Sequence, residues 1–449
     1  MKWIYAADPF GKKIFVYSVP LMFTNILQVL FNMSDVAVVG KFAGPIALGA
    51  VGSTSILVTL FTGILLGLAS GVNALTALHI GSKDDEGVKR TVHTAVIICL
   101  AGGILITVFG ILFSHNILAL MNTKDELIDG AVLYLRIYLL GMPALGLYNF
   151  GNAVLSAAGD TKRPLYYLAF AGVVNVILNL FFVIVCHLGV AGVALASMIS
   201  QFISAFLILR ALLTGKEKYC LRLSEIRFDK RKAVGILQIG IPSAFQYSLF
   251  AFANLFVQSS VNSFDHILVE GNSAAANADP LVYDMMAAFY TACSSFIAQN
   301  FGARKKKRIL QTYLICLFYS FITSLVLGVG IYLARYPFLY LFTSDKAVVE
   351  AGITRLSIMA LSYSASAFMD ASIAASRGLG KTAVPTFVVV MGSCVFRIIW
   401  IYTIFAYFHT IQSLYILYVF SWGITAIAEN IYFFHVYRHT LTGKTESHL

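Results

Sequence analysis

Charge is scarce in this chain. Of 449 residues only 12% are Asp, Glu, Lys or Arg, about half the share found in soluble proteins, and that shortage excludes a water-facing globular surface. Cysteine is sparse and unorganised: Cys99, Cys186, Cys220, Cys293, Cys316 and Cys394 stand singly, without CxxC or HxH spacing, so neither a disulfide framework nor a metal site is indicated. No GxxxxGK[ST] occurs, hence no phosphate-cradling loop and no direct use of ATP. The acidic run in SKDDEG (82–87) has no partner motif elsewhere; a membrane-embedded prenyltransferase, which holds Mg²⁺ on clustered Asp-rich loops, is therefore disfavoured, and the run reads as a solvated turn. No small-residue cleavage site follows the first apolar run, which is read as a retained helix rather than a removable signal.

What the chain has is apolar length. Fully 59% of it is hydrophobic, gathered into runs of about twenty residues that are each long enough to cross a hydrocarbon core of roughly 30 Å as a helix. Twelve spans are expected, near 14–38, 49–78, 92–113, 131–156, 164–186, 190–210, 234–262, 274–300, 312–334, 351–376, 384–406 and 412–437. Basic residues fix the orientation. Of the 32 Lys and Arg, only Lys41, Lys124, Arg335 and Lys346 fall in one set of alternate loops, and Arg136, Arg355 and Arg397 fall inside spans; all others lie in the opposite loops and the two tails. That side is cytoplasmic by the positive-inside rule, with both termini there. The formal charge of +11 is thus a loop bias, and no nucleic-acid partner is expected.

The sequence also repeats itself. GDTKRP at 159–164 is echoed by GKTAVP at 380–385, GSK at 81–83 by GAR at 302–304, and Val19-Pro20 by Ile241-Pro242, at offsets of 221 to 222. Each half holds six spans, an even number, so both enter and leave on one side and are expected to be related by an axis along the membrane normal. The expected organisation is a six-helix lobe over 1–213, a cytoplasmic linker over 214–233 and a second six-helix lobe over 234–449. Two like bundles on one linker suit a cleft exposed alternately to either side.

Several stretches carry a family resemblance. DVAVVGKFAGPIALGAVG (35–52), LSAAGDTKRPL (155–165), LQIGIPSAFQ (237–246), AQNFGARKKKR (298–308) and SRGLGKTAVP with FRIIWIY resemble, in order and over essentially the whole chain, the multidrug and toxic compound extrusion (MATE) transporters of bacterial type. The seventh span holds no Glu, so the resemblance is to the branch with an Asn-x3-Asp/Asn pattern in the fifth span. It implies a monomeric twelve-helix antiporter in the cell membrane, not an enzyme. Such a transporter expels small organic compounds, mostly cations, against sodium ions or protons, with lipid around it and no cofactor. A lipid-linked precursor flippase of the same fold group is the alternative, disfavoured because the intramembrane charge is mainly acidic.

Intramembrane polar residues are the candidate sites, because a carboxylate at a span centre costs about 2.5–3.5 kcal/mol. The resemblance makes Asp35 a cation or proton site; the plain alternative is an interfacial Asp. Asn175 and Asn179 share a helix face, so their carbonyl oxygens can join one ligand, or the pair simply glues helices together. Ser197 stands where the family has a pocket hydroxyl, or is a small packing residue. On the repeat offset these positions become Val257, Phe396 and Trp400, so only the first half can hold that set. For substrate, the candidates are Asp279, Asp370 with its repeat mate Asn149, and Met286 and Phe289; the acids are either counter-charges for a cation or structural partners of Arg355 or Arg397. Glu429, near the inner end of the last span, is read as snorkelling.

Overall fold

The computed structural model describes residues 10–440; the chain ends, with Lys2 and Lys444, lie outside the described residues. Those described residues form helices and no strand. Helix α1 (Phe10–Val38) runs through one π-helical turn, Val39–Ala43, and stops where Gly44 takes φ +87°. α2 (Gly44–Ser82) follows. At 1.5 Å per residue the 73 residues from Phe10 to Ser82 would reach about 110 Å, so Gly44 divides two spans. α3 (Asp85–Leu120) is capped by the acidic run: the Asp84 carboxylate accepts from Gly87 N at 2.9 Å, and Asp85 and Glu86 sit in the first turn, where the helix dipole favours them. α4 (Asp125–Leu139) and α5 (Met142–Ala157) meet at 45° as one bent span. α6 (Lys162–Leu180), with its π-helical end Phe181–Val185, and α7 (Gly189–Thr214) complete the first six.

The second six begin with α8 (Lys230–Val261), then α9 (His266–Ala276) and α10 (Ala278–Gly302), which together make one span. α11 (Lys306–Leu333) leads through the short α12 (Arg335–Tyr340) to α13 (Lys346–Gly378). The eleventh span is interrupted: α14 (Ala383–Val389), a π-helical stretch Val390–Val395, α15 (Phe396–Trp400), a second π-helical stretch Ile401–Phe405, and α16 (Ala406–Phe408). α17 (Ile411–His439) closes the chain. Each of the twelve expected spans thus corresponds to a helix or a bent or broken helix pair.

The echoed motifs are echoed turns. Gly159 and Gly380 have φ +90° and +73°. After them Asp160 N bonds Leu155 O and Lys381 N bonds Ser376 O, each at 2.9 Å, which satisfies the last carbonyls of α5 and α13 in the same way. Lys83 and Arg304 repeat the device with φ 59° and 55°. His187 and His409, 222 positions apart, form a third such pair at 53° and 47°.

The chain divides into two compact units. The N-terminal unit, Phe23–Tyr247, is built on α2 to α7 and takes in the first half of α8. Its core joins Val72, Val92, Tyr148, Ile208, Leu212 and Ile236. A Cβ on Gly71 would lie 2.3 Å from the Ile236 carbonyl, and one on Gly67 equally close to the Ala244 backbone; these two glycines let α2 and α8 touch main chain to main chain. The C-terminal unit comprises residues 10–22 and 248–440. Here the first turns of α1 pack into the bundle, with Ile14, Tyr17 and Leu21 against Phe296, Ile309 and Phe433.

Candidate functional site

In the N-terminal unit four polar residues from three helices converge. Gly172 on α6 has no side chain, and a Cβ there would strike the Phe31 ring at 1.8 Å, so α1 lies close against α6. One turn further along each helix stand Asp35 and Asn175. The Asp35 carboxylate accepts from Asn179 Nδ2 at 2.5 Å and from Ser197 Oγ at 2.9 Å. Asn179 Nδ2 also donates to Asn175 Oδ1 at 3.1 Å, and Asn175 Nδ2 to Ser197 Oγ at 3.4 Å. Asp35 is 9% exposed and Asn179 fully buried. Among the described residues no basic side chain lies within 4.0 Å of Asp35, and the Asn179 carbonyl oxygen has no donor.

Both helices lose regular α geometry beside this cluster, at Val39–Ala43 and Phe181–Val185, a placement common at functional sites. Tyr134 and Tyr138, stacked at 5.8 Å, are within electrostatic reach of Asp35. A buried carboxylate that lacks a counter-cation, next to a carbonyl oxygen that lacks a donor, presents hard oxygen atoms only.

The C-terminal unit arranges its charges differently. Arg355, 5% exposed, donates from Nη2 to Asp279 Oδ2 at 2.5 Å and from Nη1 to Asn272 Oδ1 at 2.6 Å, while the Tyr363 hydroxyl donates to Asp279 Oδ1 at 2.5 Å. Asp279 is therefore an ion-pair partner of Arg355. Asp370, on α13, is half-buried and lies within electrostatic reach of Glu429 on α17. Glu429 does not snorkel: it is fully buried and neither carboxylate oxygen has a hydrogen-bond partner. Met286 and Phe289 have no exposed surface; Phe289 packs against Tyr319 with ring centroids 5.6 Å apart. Asn149 belongs to the other unit, buried on α5 with its Nδ2 unpartnered.

The four residues read as a cation pocket are thus brought together; of those read as substrate-binding, Asp279 is paired with Arg355, and Met286 and Phe289 are fully buried. Asn272, Tyr363 and the depth of Glu429 escaped the sequence reading; Asn272 and Tyr363 are ordinary polar residues in apolar runs, and only their partner Asp279 drew notice.

Known proteins complete the assignment. The MatE family profile matches twice, over residues 20–181 and 242–403, which together span most of the chain. The chain belongs to the MatE family. A probable multidrug resistance protein, YpnP of Bacillus subtilis, is 31% identical over 299 residues, the alignment covering 66% of each chain. The probable multidrug resistance protein NorM of Thermotoga maritima is 24% identical over 383 residues, covering 83% of this chain and 81% of its own. Among solved structures, an outward-facing multidrug resistance MATE family transporter of the MOP superfamily superposes with a TM-score of 0.91 at 22% identity, over 97% of this chain and 98% of that one. This MatE protein is accordingly a multi-pass, all-helical membrane transporter of the multidrug-efflux type and not an enzyme. The two matched segments are offset by 222 residues, within one residue of the spacing of the paired turns.

Proposed function

We propose that this MatE protein exports organic compounds, chiefly cations, in exchange for a sodium ion or a proton bound at Asp35. The observation that carries the reading is the pocket itself: Asp35 held by Asn179 and Ser197, with a donorless carbonyl oxygen beside it and no basic side chain within 4.0 Å among the described residues. Asp35 is the single formal charge there, so one monovalent cation neutralises it. Asp370 serves as the counter-charge for cationic substrates, since Asp279 is neutralised by Arg355. The protein works as a monomer in the inner membrane, with both termini and the 214–233 linker cytoplasmic between lobes at 1–213 and 234–449; the basic loop bias and the repeated turns support this layout.

The test is efflux from proteoliposomes under separately imposed sodium and pH gradients. Transport should follow one gradient in the wild type and neither in Asp35→Asn. Gradient-driven efflux at the wild-type rate in Asp35→Asn excludes this pocket as the coupling site.

A further inference from the structure

The C-terminal unit buries a second arginine, and this one has no acid. Arg397 is 1% exposed and sits on α15, the one α-helical turn between the π-helical stretches 390–395 and 401–405. Its Nε donates to Ser421 Oγ at 3.3 Å, and that hydroxyl in turn donates to Gly392 O at 3.0 Å. Nη1 donates to Asn254 Oδ1 at 2.9 Å. The guanidinium carbon stands 4.6 Å from the centre of the Tyr418 ring. Among the described residues no carboxylate comes within 4.0 Å of it, in contrast to Arg355, whose charge is met by Asp279. A guanidinium has five N–H donors, and only neutral oxygens take the two that are used. The neighbouring Asn254 is exposed, so the group lies one side chain below an open surface.

A fully buried cation without a counter-ion is costly inside a membrane protein and marks a place where charge is supplied from elsewhere. Two features aim this one at a ligand. The broken helix around it is the geometry that recurs at functional sites, and an aromatic cluster lies next to it, with Tyr418 tilted against Trp422 at 5.3 Å and Tyr283 edge-to-face with Trp422 at 5.8 Å between ring centroids. We propose that Arg397 is an anion receptor, binding the carboxylate or phosphate of an aromatic compound that this transporter exports. Its free N–H fork suits two parallel bonds to such a group, and the rings stack on the compound's aromatic part. The proposal rests on the export function but not on the coupling site.

The test is binding, without any gradient. Purified full-length protein in phosphatidylcholine nanodiscs is titrated with flavin mononucleotide and with riboflavin, which differ by one phosphate and are both fluorescent. The phosphate should tighten binding about tenfold or more, the worth of one charge-assisted pair. Arg397→Gln should erase that difference. Because removal of a buried arginine can also impair folding, Asn254→Asp is the companion: it places a carboxylate on Nη1, and should abolish flavin mononucleotide binding while raising the melting temperature. The titration is run at one fixed pH and sodium concentration with no gradient imposed, so it is read separately from the coupling test. Equal affinity for the two flavins, or undiminished flavin mononucleotide binding by Asn254→Asp, overturns the proposal and leaves Arg397 a helix brace. Loss of binding when phosphatidylglycerol is added to the discs overturns the assignment to an exported compound in favour of a lipid headgroup.

Discussion

Replacing Asp35 by Asn should silence the cation response and leave the protein folded, and the pocket geometry gives the reason. The wild-type carboxylate accepts two bonds, from Asn179 at 2.5 Å and Ser197 at 2.9 Å. Bonds to a charged group contribute about 1.5–3 kcal/mol each, so roughly 3–6 kcal/mol is at stake. Against this stands the cost of holding an ionised carboxylate within a span, about 2.5–3.5 kcal/mol, which the amide does not incur. An Asn at 35 still offers one acceptor oxygen to the two donors, and the net change should stay within about 2 kcal/mol, a shift of a few degrees in melting temperature. Cation binding is another matter. A ligand present at a hundred times its dissociation constant stabilises the native state by about 2.7 kcal/mol, and an amide has no charge for it to neutralise. The assay is a melting curve of purified protein across a sodium series at fixed pH and a pH series at fixed sodium. The wild type should rise along one series, the variant along neither. A variant that folds and shows the full wild-type rise refutes the assignment.

Other consequences are as direct. Arg355→Leu strands Asp279 beside Tyr363 and should cost about 3–5 kcal/mol, seen as a large fall in melting temperature, whereas Asp279→Asn keeps an acceptor for Arg355 and should cost less. Gly172→Ala displaces the Phe31 ring and should cost about 1–3 kcal/mol together with part of the sodium or proton response, because it pushes α1 away from α6; an unaltered response means that this contact does not position Asp35. At Gly71 the obstacle is the Ile236 backbone at 2.3 Å rather than a movable ring, so Gly71→Ala should lower the yield of folded protein far more than Gly172→Ala does. In the linker, the bond from Lys89 holds Glu225 below the usual carboxylate range. Its contribution is present above the unfolded value and is lost as the pH falls through the folded one. Hydrogen exchange of residues 223–229, corrected for intrinsic rates, should therefore accelerate towards acid in the wild type and not in Lys89→Gln.

The sequence alone determined the spans, because the ability to cross a membrane is a property of about twenty consecutive residues and needs no partner. It also determined the paired turns: a left-handed residue after a helix is chosen locally, as at Gly159 and Gly380. The shared face of Asn175 and Asn179 follows from helix periodicity, and their contact at 3.1 Å bears this out. What those residues meet was decided by packing. Asp35 reaches Asn179 and Ser197 across 144 and 162 positions, a meeting that depends on how closely Gly172 lets two helices approach. Asp279 and Arg397 look alike in sequence, each a lone charge in an apolar span, yet the first finds Arg355 and the second finds only amide, hydroxyl and ring. Glu429 sits near a helix end, where snorkelling is the usual outcome, and is instead sealed inside the bundle. Met286 and Phe289, candidates by residue type, are fully buried here, Met286 within a hydrophobic cluster and Phe289 against the Tyr319 ring. In each case the deciding quantity is the distance to a group on another helix, which local periodicity does not encode.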